Sequence, residues 1–272
     1  MFVLDCDRAY LYAHPERKLT DDETARYEDA QAERIRGVPT QYITGHQEFW
    51  GMDLIVSPAV LIPRPETELL VESVLKRTPE GWPRTARVAN EPERVPLVGE
   101  KKTPGLRIVD VGTGSGCVAL ALAKELADAE IHGVDISSAA LEIANANSAR
   151  HQLERRVDFH QADLLDGVDG AFDFVVSNPP YVGESEEDEV QLEVRKFEPR
   201  AAVFAGPVGT EVIARLIPQA WEKLRPGGWL IMEVSGTIAD AVLGMVSEWG
   251  EVKVLSDLQG IQRVVAARKN SN

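Results

Sequence analysis

The sequence contains little cysteine and little histidine, which limits the disulfide and metal sites that it could form. Its two cysteines, Cys6 and Cys117, are too few for a disulfide framework or for a zinc site with four cysteine ligands. The histidines are not spaced like metal ligands, and we therefore expect no metal ion. They are His14, His46, His132, His151 and His160.

Long apolar runs are also absent. Nowhere do about 18 apolar residues follow one another, so no membrane-spanning helix is predicted. The first residues lack the basic start and the apolar core of a secretion signal. Together with the scarce cysteine, these absences predict a soluble protein of the reducing cytoplasm, which we expect to be a monomer.

Basic residues are outnumbered by acidic ones. The chain has 29 Lys and Arg against 44 Asp and Glu, with a formal net charge of −15. Such a surface repels polyphosphates on average, so nucleic acid is a disfavoured substrate. A local basic stripe could include Arg26, Arg34, Arg36 and Arg64, but acidic residues lie between them. A mixed, solvated surface is the preferred interpretation.

Changes in periodicity divide the first part of the chain. Residues 1–45 predict a small helical domain, with a charged helix from Asp21 to Arg36 and Thr20 as its N-cap. Residues 46–77 predict a short β-hairpin, followed by a helix over 67–76. Residues 78–105 are rich in proline, glycine and charge, which is typical of a linker or flexible insertion.

Residues 106–272 alternate strand and helix patterns. Five buried runs, from LRIVDVG to WLIMEV, are separated by helical segments, and the last predicted helix extends from about Ile238 to Trp249. Two further β runs, EVKVLSD and QRVVAARK, end the chain. This order predicts an α/β fold with a mainly parallel seven-stranded sheet. The closing strand pair is typical of Rossmann-like class I methyltransferase domains.

A glycine-rich turn follows the first of these strands. Its glycines alternate, which permits positive φ and a close approach of the backbone to a ligand, and the next helix begins with unpaired N–H groups that suit an anion. The spacing differs from the dinucleotide pattern and favours S-adenosyl-L-methionine over NAD. We therefore assign these residues to a cofactor site: Asp110, Gly112, Thr113, Gly114, Ser115 and Gly116.

Acidic and apolar residues at two further strand ends extend the predicted cofactor site. Asp135 ends the second strand, where a carboxylate can accept both hydroxyl groups of a ribose, and Ile136 follows it. Asp163 and Leu164 follow the third strand, where the adenine would lie. An ordinary loop acid and a core leucine explain this last pair equally well.

The loop Asn178-Pro179-Pro180-Tyr181 ends the fourth strand, at the sheet edge where open α/β folds bind ligands. Two prolines fix the backbone and leave carbonyl groups that only accept hydrogen bonds. The Asn178 side-chain oxygen and the Pro179 carbonyl could bind the two N–H groups of an –NH₂ substrate, with Tyr181 packed on its plane. The loop therefore predicts methylation of an amino or amide nitrogen.

This loop resembles the Asn/Asp-Pro-Pro-Tyr motif of amino-methyltransferases, which act on adenine, guanine, cytosine or glutamine nitrogens. Other segments narrow the resemblance: QYITGHQEFW over 41–50, IPRPETE over 62–68, Phe197-Glu-Pro199, and Asp257 to Arg263. From about Arg8 to Arg268 the chain resembles the release factor glutamine N5-methyltransferase family, also called the HemK or PrmC family.

The resemblance implies a substrate-binding helical domain, a hairpin linker and a catalytic domain. It implies S-adenosyl-L-methionine as methyl donor, S-adenosyl-L-homocysteine as product, and the glutamine of a Gly-Gly-Gln loop in class 1 peptide chain release factors as acceptor. By position, residues 112–116, Asp135, Leu164 and Asn178 would contact the cofactor, and residues 178–181 would bind the glutamine. No role follows for Arg64, Glu66 and Glu68, which we interpret as caps of the helix at 67–76.

The sequence departs from the family pattern in three places. Helix is expected before Asp7, so the helical domain is expected to be incomplete. The segment 78–105 is longer than usual. Ile238 stands where a glutamine is expected after a Glu-x-Gly segment, which here reads Glu233-Val-Ser. The last two departures concern substrate docking and leave the chemistry of the site unchanged.

Two other functions remain open at this point. A nucleic acid amino-methyltransferase, acting on adenine N6 or guanine N2, would use the same loop on a flipped base. The net charge, the lack of a basic recognition domain and the acidic run over 184–189 oppose it. A noncatalytic cofactor-binding protein is the second alternative, and cofactor binding without methyl transfer would favour it.

Overall fold

The computed structural model describes residues 1–80, 82 and 105–271. Within residues 1–45 the chain forms α1 (Arg8–Ala13), α2 (Asp21–Ile35) and α3 (Thr40–Thr44). None of the helices in the described part has both the length and the apolar character needed to cross a membrane. Most of the predicted insertion, residues 81 and 83–104, lies outside the described residues.

Helix α2 begins as predicted, at Thr20. Glu23 N donates to Thr20 Oγ1 at 3.2 Å, and Thr20 N donates to Glu23 Oε2 at 2.9 Å. This reciprocal pair satisfies two N–H groups that a helix start would otherwise leave unpaired. The helix ends at Ile35, one residue before the predicted Arg36.

The predicted β-hairpin is confirmed. Strands β1 (His46–Phe49) and β2 (Met52–Ile55) pair antiparallel, with Phe49 opposite Met52. Trp50 and Gly51 between them have φ of 54° and 68°, as a two-residue turn that follows the twist of the strands requires. A 3₁₀ turn at Pro65–Thr67 then leads into α4 (Glu68–Arg77).

Residues 106–271 are built on a seven-stranded sheet with the order β10-β11-β9-β6-β3-β4-β5. Five neighbouring strands are parallel, in the order β9, β6, β3, β4 and β5. Strand β11 is antiparallel to both β9 and β10. The chain thus moves in opposite directions from the β3–β6 pair, which places a ligand crevice at their carboxyl ends. The strands are β3 (Arg107–Val111), β4 (Glu130–Asp135), β5 (Val157–Gln161), β6 (Phe172–Ser177), β7 (Val182–Gly183), β8 (Phe204–Gly206), β9 (Leu224–Glu233), β10 (Glu251–Ser256) and β11 (Gln262–Arg268).

Helices cover both faces of the sheet and form two cores. Ile108 packs with Leu70 of α4 and Leu120 of α5 on one face, whereas Val109 packs with Ile213 of α9 on the other. Neighbouring strand residues therefore face opposite cores, as the doubly wound fold requires. The helices of this part are α5 (Cys117–Glu125), α6 (Ser138–Arg150), α7 (Leu192–Phe197), α8 (Arg200–Val203), α9 (Glu211–Lys223) and α10 (Ala239–Met245).

Two predicted boundaries were wrong. Helix α10 ends at Met245 rather than near Trp249, because Trp249 turns to pack edge-on against Trp221 of α9, with ring centroids 4.9 Å apart. Strand β9 begins at Leu224 instead of at Trp229, the first residue of the predicted run WLIMEV, and includes the Pro-Gly-Gly segment before that run. The fold class, a Rossmann-like class I domain with a hairpin and an amino-terminal helical unit, is confirmed.

Candidate active site

The glycine-rich turn connects β3 to α5 at the centre of the sheet. Gly112, Gly114 and Gly116 have φ of 71°, 55° and 81°, in the left-handed region that glycine adopts at little cost. The N–H groups of Gly112 and Thr113 donate to the Val134 carbonyl at 2.8 and 2.9 Å. The turn is therefore held against β4, and its other side is open at the carboxyl edge of the sheet.

Asp110 fixes this turn from the strand below. Its Oδ2 accepts from Thr113 Oγ1 at 2.7 Å and from Ala119 N at 3.2 Å. The carboxyl is buried, and burial raises its pKa to about 7. Asp110 thus connects the strand, the turn and the first residues of α5.

Asp135 is oriented by the backbone. Its Oδ2 accepts from Gly114 N and its Oδ1 from Ser137 N, both at 2.9 Å. Burial raises the pKa of this carboxyl from its usual value. Each oxygen keeps a further lone pair, so the carboxylate can still accept ribose hydroxyl groups from a fixed position.

A cavity of about 430 Å³ lies beside the turn. The predicted cofactor residues that line it are Asp110, Gly112, Thr113, Gly114, Ser115, Asp135, Ile136, Asp163, Leu164 and Asn178. Gly116 is not among the lining residues, and its assignment to the cofactor stays a prediction. A Cβ on Gly116 would lie 3.3 Å from Leu120, Ala144 and Phe159, so this glycine serves the packing of α5 against its neighbours.

The cavity lining suits an adenosyl ligand with a charged amino acid end. Ile136 is apolar yet 62% exposed, and together with Leu164 it offers apolar surface for an adenine ring. Asp163 supplies a carboxylate, which Arg215 NH2 contacts at 2.6 Å. Added Cβ atoms on Gly112 and Gly114 would meet no atom closer than 3.9 Å, so the turn leaves open space where a ligand can approach the backbone.

One wall of this cavity was not predicted from the sequence. It comes from the segment between the hairpin and α4 and from the region around α8. The apolar run before Pro63 is the available signal, but the pattern of residues 46–77 predicts only a hairpin and a helix. The main residues of this wall are Ala59, Val60, Leu61, Pro63, Thr67, Pro199 and Phe204.

The Asn178 loop separates the cofactor cavity from a second cavity of about 560 Å³. Asn178 lines both cavities, Pro180 lines the cofactor cavity, and Tyr181 lines the second one. Pro179 is buried and lines neither, so only its main-chain carbonyl is a candidate for substrate contact. The loop therefore lies between the two cavities.

Hydrogen bonds connect this loop to two residues for which the sequence predicted no role in the site. Asn178 Nδ2 donates to Thr67 Oγ1 at 3.2 Å, and Tyr181 OH donates to Glu233 Oε1 at 3.2 Å. Thr67 Oγ1 in turn donates to Glu233 Oε2 at 2.7 Å. Burial raises the pKa of both Tyr181 and Glu233, that of Glu233 to about 7.

The capping role predicted for Arg64, Glu66 and Glu68 was wrong. No side-chain cap occurs at the 3₁₀ turn or at α4. Arg64 instead pairs with the buried Glu198, while Glu68 Oε1 accepts from Trp50 N at 2.9 Å. Glu66 lines the second cavity. This segment therefore joins the hairpin, the loop before α8 and the site.

The expectation about histidine also needs correction. His132 on β4 and His160 on β5 lie together with Asp158, with one ligand atom of each within 4.8 Å of the others. The two rings are engaged with carboxylates, His132 with Glu130 at 2.9 Å and His160 with Asp158 at 3.2 Å. The cluster could hold a metal ion, but its residues line neither cavity.

Comparisons with known proteins agree with this site. Residues 1–45 match the family model "PrmC N-terminal domain", and residues 98–197 match "Methyltransferase small domain". A protein called release factor glutamine methyltransferase from Koribacter versatilis is 52% identical, with coverage of 99% of this chain and 88% of that protein. The protein of the same name from Geobacter sulfurreducens is 38% identical, covering 98% and 86%.

A solved structure supports the fold alone. The hMettl16 catalytic domain, solved in complex with MAT2A 3′UTR hairpin 6, is 15% identical with a TM-score of 0.58, covering 98% of this chain and 94% of that one. The sequence relatives carry the more specific result. At 52% identity over almost its full length, this chain belongs to the release factor glutamine methyltransferase family, as the sequence resemblance predicted.

Proposed function

We propose that this protein transfers the methyl group of S-adenosyl-L-methionine to the side-chain amide nitrogen, N5, of the glutamine in the Gly-Gly-Gln loop of class 1 peptide chain release factors. The position of Asn178 is the observation that carries the proposal. It lies between the cofactor cavity and the second cavity, which is the place where a methyl donor and an acceptor side chain would meet.

Positioning must carry most of the catalysis. An amide nitrogen is a weak nucleophile because its lone pair is delocalised into the carbonyl group. Asn178 Oδ1 and the Pro179 carbonyl each accept one N–H of the glutamine amide, which orients its nitrogen and stabilises the positive charge that develops on it. S-adenosyl-L-methionine, when bound, supplies an electrophilic methyl group on sulfur.

The reaction forms one C–N bond and breaks one C–S bond. The methylated amide returns to neutrality when one N–H proton is released to solvent, and S-adenosyl-L-homocysteine leaves as the second product. Asp135, Ile136, Asp163 and Leu164 would hold the adenosine portion, because they line the cofactor cavity. No metal ion is part of this proposal.

The second cavity is the proposed glutamine entrance. Pro39 and Gln41 of the amino-terminal unit line it together with Tyr181 and Arg263. This shared lining supports the assignment of residues 1–45 as a substrate-binding domain, with residues 46–77 as hairpin, linker and helix and 106–272 as the methyltransferase domain. We further propose that the protein acts as a cytoplasmic monomer, in keeping with its two free thiols.

Nucleic acid remains the less favoured acceptor. The 3₁₀ helix Glu184–Glu189 follows the Asn178 loop after only two residues of strand. Glu187 and Asp188 are paired with Arg200 and Arg195, but the remaining acids add negative charge beside the entrance. A phosphate backbone would be repelled there.

The test uses labelled S-adenosyl-L-methionine and four separate acceptors: a class 1 release factor, the same factor with the Gly-Gly-Gln glutamine replaced, undermethylated DNA and ribosomal RNA. We expect label on the intact factor alone, with N5-methylglutamine identified by mass spectrometry. Label on nucleic acid would instead support an amino-methyltransferase of bases. Cofactor binding with no transfer to any acceptor would support the noncatalytic alternative.

A further inference from the structure

Three hydrogen bonds connect the reactive loop to one buried carboxylate. They run from Asn178 Nδ2 to Thr67 Oγ1 at 3.2 Å, from Thr67 Oγ1 to Glu233 Oε2 at 2.7 Å, and from Tyr181 OH to Glu233 Oε1 at 3.2 Å. Thr67 and Glu233 are each only 2% exposed. We call these two residues, with their bonds to Asn178 and Tyr181, the Thr67–Glu233 network.

The direction of every bond in the network follows from the ionised carboxylate. A carboxylate only accepts, so the single hydroxyl hydrogen of Thr67 must point to Glu233. The Thr67 oxygen can then only accept from Asn178, and the group of Asn178 that donates is Nδ2. Oδ1 is left for other partners, and no described residue donates a hydrogen bond to it.

We infer that Glu233, acting through Thr67, is a positioning residue that holds the Asn178 amide so that Oδ1, and not Nδ2, faces the substrate nitrogen. The inference rests on the proposed function, because only an –NH₂ acceptor needs an oxygen at this place. If the Asn178 side-chain amide were flipped by 180°, it would present its own –NH₂ group to the substrate –NH₂ group. Two hydrogen-bond donors do not bind each other.

The surroundings of Glu233 make its charge sensitive to pH. Burial raises its pKa to about 7, and the charge of Glu66 acts in the same direction. Arg263 lowers it together with the bonds from Thr67 and Tyr181. Arg263 is itself held by Asp257 at 2.8 Å, and the Cys117 thiol is a further ionisable group near enough to sense the charge of Glu233.

Protonation would reverse the network. A proton on Glu233 Oε2 would be donated to Thr67 Oγ1, whose own hydrogen would then point to Asn178 and favour Oδ1 on that side. The substrate would meet the wrong end of the amide. Methyl transfer is therefore expected to fall as the pH drops through about 7, whereas cofactor binding should change little.

The first test compares Thr67→Val with Thr67→Ser, using a class 1 release factor as acceptor. Valine keeps the shape of threonine but cannot orient Asn178, whereas serine keeps the hydroxyl. Since one hydrogen bond is worth about 1.4 kcal/mol or tenfold, we expect kcat to fall at least about tenfold in Thr67→Val and less than about threefold in Thr67→Ser. Cofactor affinity, measured by calorimetry, should stay within about threefold in both.

A Thr67→Val variant with the kcat of the wild type would overturn the inference. So would an equal loss of kcat in both variants, because that would show a packing role without orientation. If the wild type labels no release factor, the proposed function fails as well. If the wild type labels it and only the Thr67 comparison fails, the proposed function stands without this inference.

The second test replaces the ionisable group by Glu233→Gln and measures kcat against pH. The wild type should lose activity below about pH 7, with kcat proportional to the ionised fraction of Glu233. The glutamine amide does not titrate, so the variant should have a lower but flat kcat between about pH 6 and pH 8. A variant that keeps the pH dependence of the wild type would assign that dependence to another group and overturn the role of Glu233.

Discussion

At the residue scale, the two polar atoms of the Asn178 side chain have different roles. Its Nδ2 is used inside the protein, in the bond to Thr67, while Oδ1 has no donor among the described residues. Asn178 lines both cavities. The cofactor cavity, however, has more than ten other lining residues at or after the carboxyl ends of β3, β4 and β5. Loss of this one side chain should therefore affect methyl transfer far more than cofactor binding.

We predict that Asn178→Ala lowers kcat/KM for the release factor by at least about a hundredfold, because one of two acceptors for the substrate amide is lost. The affinity for S-adenosyl-L-methionine should change by less than about threefold. Single-turnover transfer and calorimetry measure the two quantities. Asn145→Ala is the matched control, since Asn145 lies exposed on α6 and bonds only to the Leu141 carbonyl. Equal losses of transfer and cofactor affinity in Asn178→Ala would contradict this division.

The sequence predicted the residues of the site that lie in short local motifs. The glycine turn, Asp135 and the Asn178 loop each end a strand of a regular pattern, so their common edge followed from the fold alone. Thr67 and Glu233 lie in segments that the sequence analysis names, but no role in the site was predicted for them. Thr67 lies 111 positions from Asn178 and Glu233 lies 52 positions from Tyr181, so these hydrogen bonds form only in the folded protein. A threonine before a helix and a glutamate at a strand end have no local signal for such contacts.

At the element scale, β4 and β5 pack closely over a glycine. A Cβ on Gly133 would lie 2.6 Å from two atoms of the Phe159 ring and 3.0 Å from Thr113 Oγ1. Thr113 is held by Asp110, and the ring occupies the space where a side chain would stand. Strand position 133 therefore requires glycine for contact between neighbours, and its φ is not in the left-handed region.

We predict that Gly133→Ala lowers the free energy of unfolding by about 1–3 kcal/mol through overpacking. Gly244→Ala is the matched control, because Gly244 lies within α10 and has no atom within 4 Å of an added Cβ. That variant should gain roughly 0.5–1 kcal/mol from the better helix propensity of alanine. Urea unfolding of both variants measures the difference. A Gly133→Ala protein as stable as Gly244→Ala would show that Phe159 moves aside freely.

Element prediction succeeded where one local rule determined the outcome. Thr20 with Glu23 is a capping pair within four residues, and Trp50-Gly51 is a tight turn between two strands. The end of α10 failed because the contact between Trp249 and Trp221 involves another helix. The capping role of Arg64 failed for the same reason, since its partner Glu198 is 134 positions away.

At the scale of the whole molecule, the amino-terminal unit contacts the catalytic domain beside the second cavity. Arg34 of α2 pairs with Glu193 of α7 at 2.6 Å, and Tyr42 OH donates to the Val60 carbonyl at 2.7 Å. Val60 lines the cofactor cavity and Gln41 the second one. One short segment of the amino-terminal unit thus lies beside both cavities.

Acidic charge is the other property of the molecule as a whole. The net charge of −15 opposes the compact state at neutral pH. Asp110 and Glu233 are buried without a salt bridge to any described residue, and burial raises the pKa of each to about 7. In the unfolded chain both would titrate near their ordinary values of 3.8 and 4.5. Between about pH 4 and pH 7 the folded protein therefore holds more protons than the unfolded one.

Because the folded state binds the extra protons, the stability that Asp110 and Glu233 contribute is complete at low pH and is lost as the pH rises through about 7. The acids with lowered pKa act the other way, but only below about pH 4.5, where their unfolded forms titrate. They are Glu23, Glu130, Glu187, Glu211 and Asp257. The window from about pH 5.5 to pH 8 therefore reports mainly on the carboxyls whose pKa is raised by burial and on the net charge. These carboxyls are Asp110, Glu233 and Asp135.

We predict that the free energy of unfolding falls by roughly 1–4 kcal/mol between about pH 5.5 and pH 8. Urea unfolding at constant ionic strength measures it, and Glu233→Gln should show a smaller fall because one of the titrating carboxyls is gone. The enzyme would then be most stable on the acid side of neutrality, where Glu233 is protonated and methyl transfer is expected to be slow. A free energy of unfolding that rises across this window would mean that both carboxyls are ionised in the folded protein well below pH 7. Any loss of methyl transfer at acidic pH would then have to come from the titration of another group.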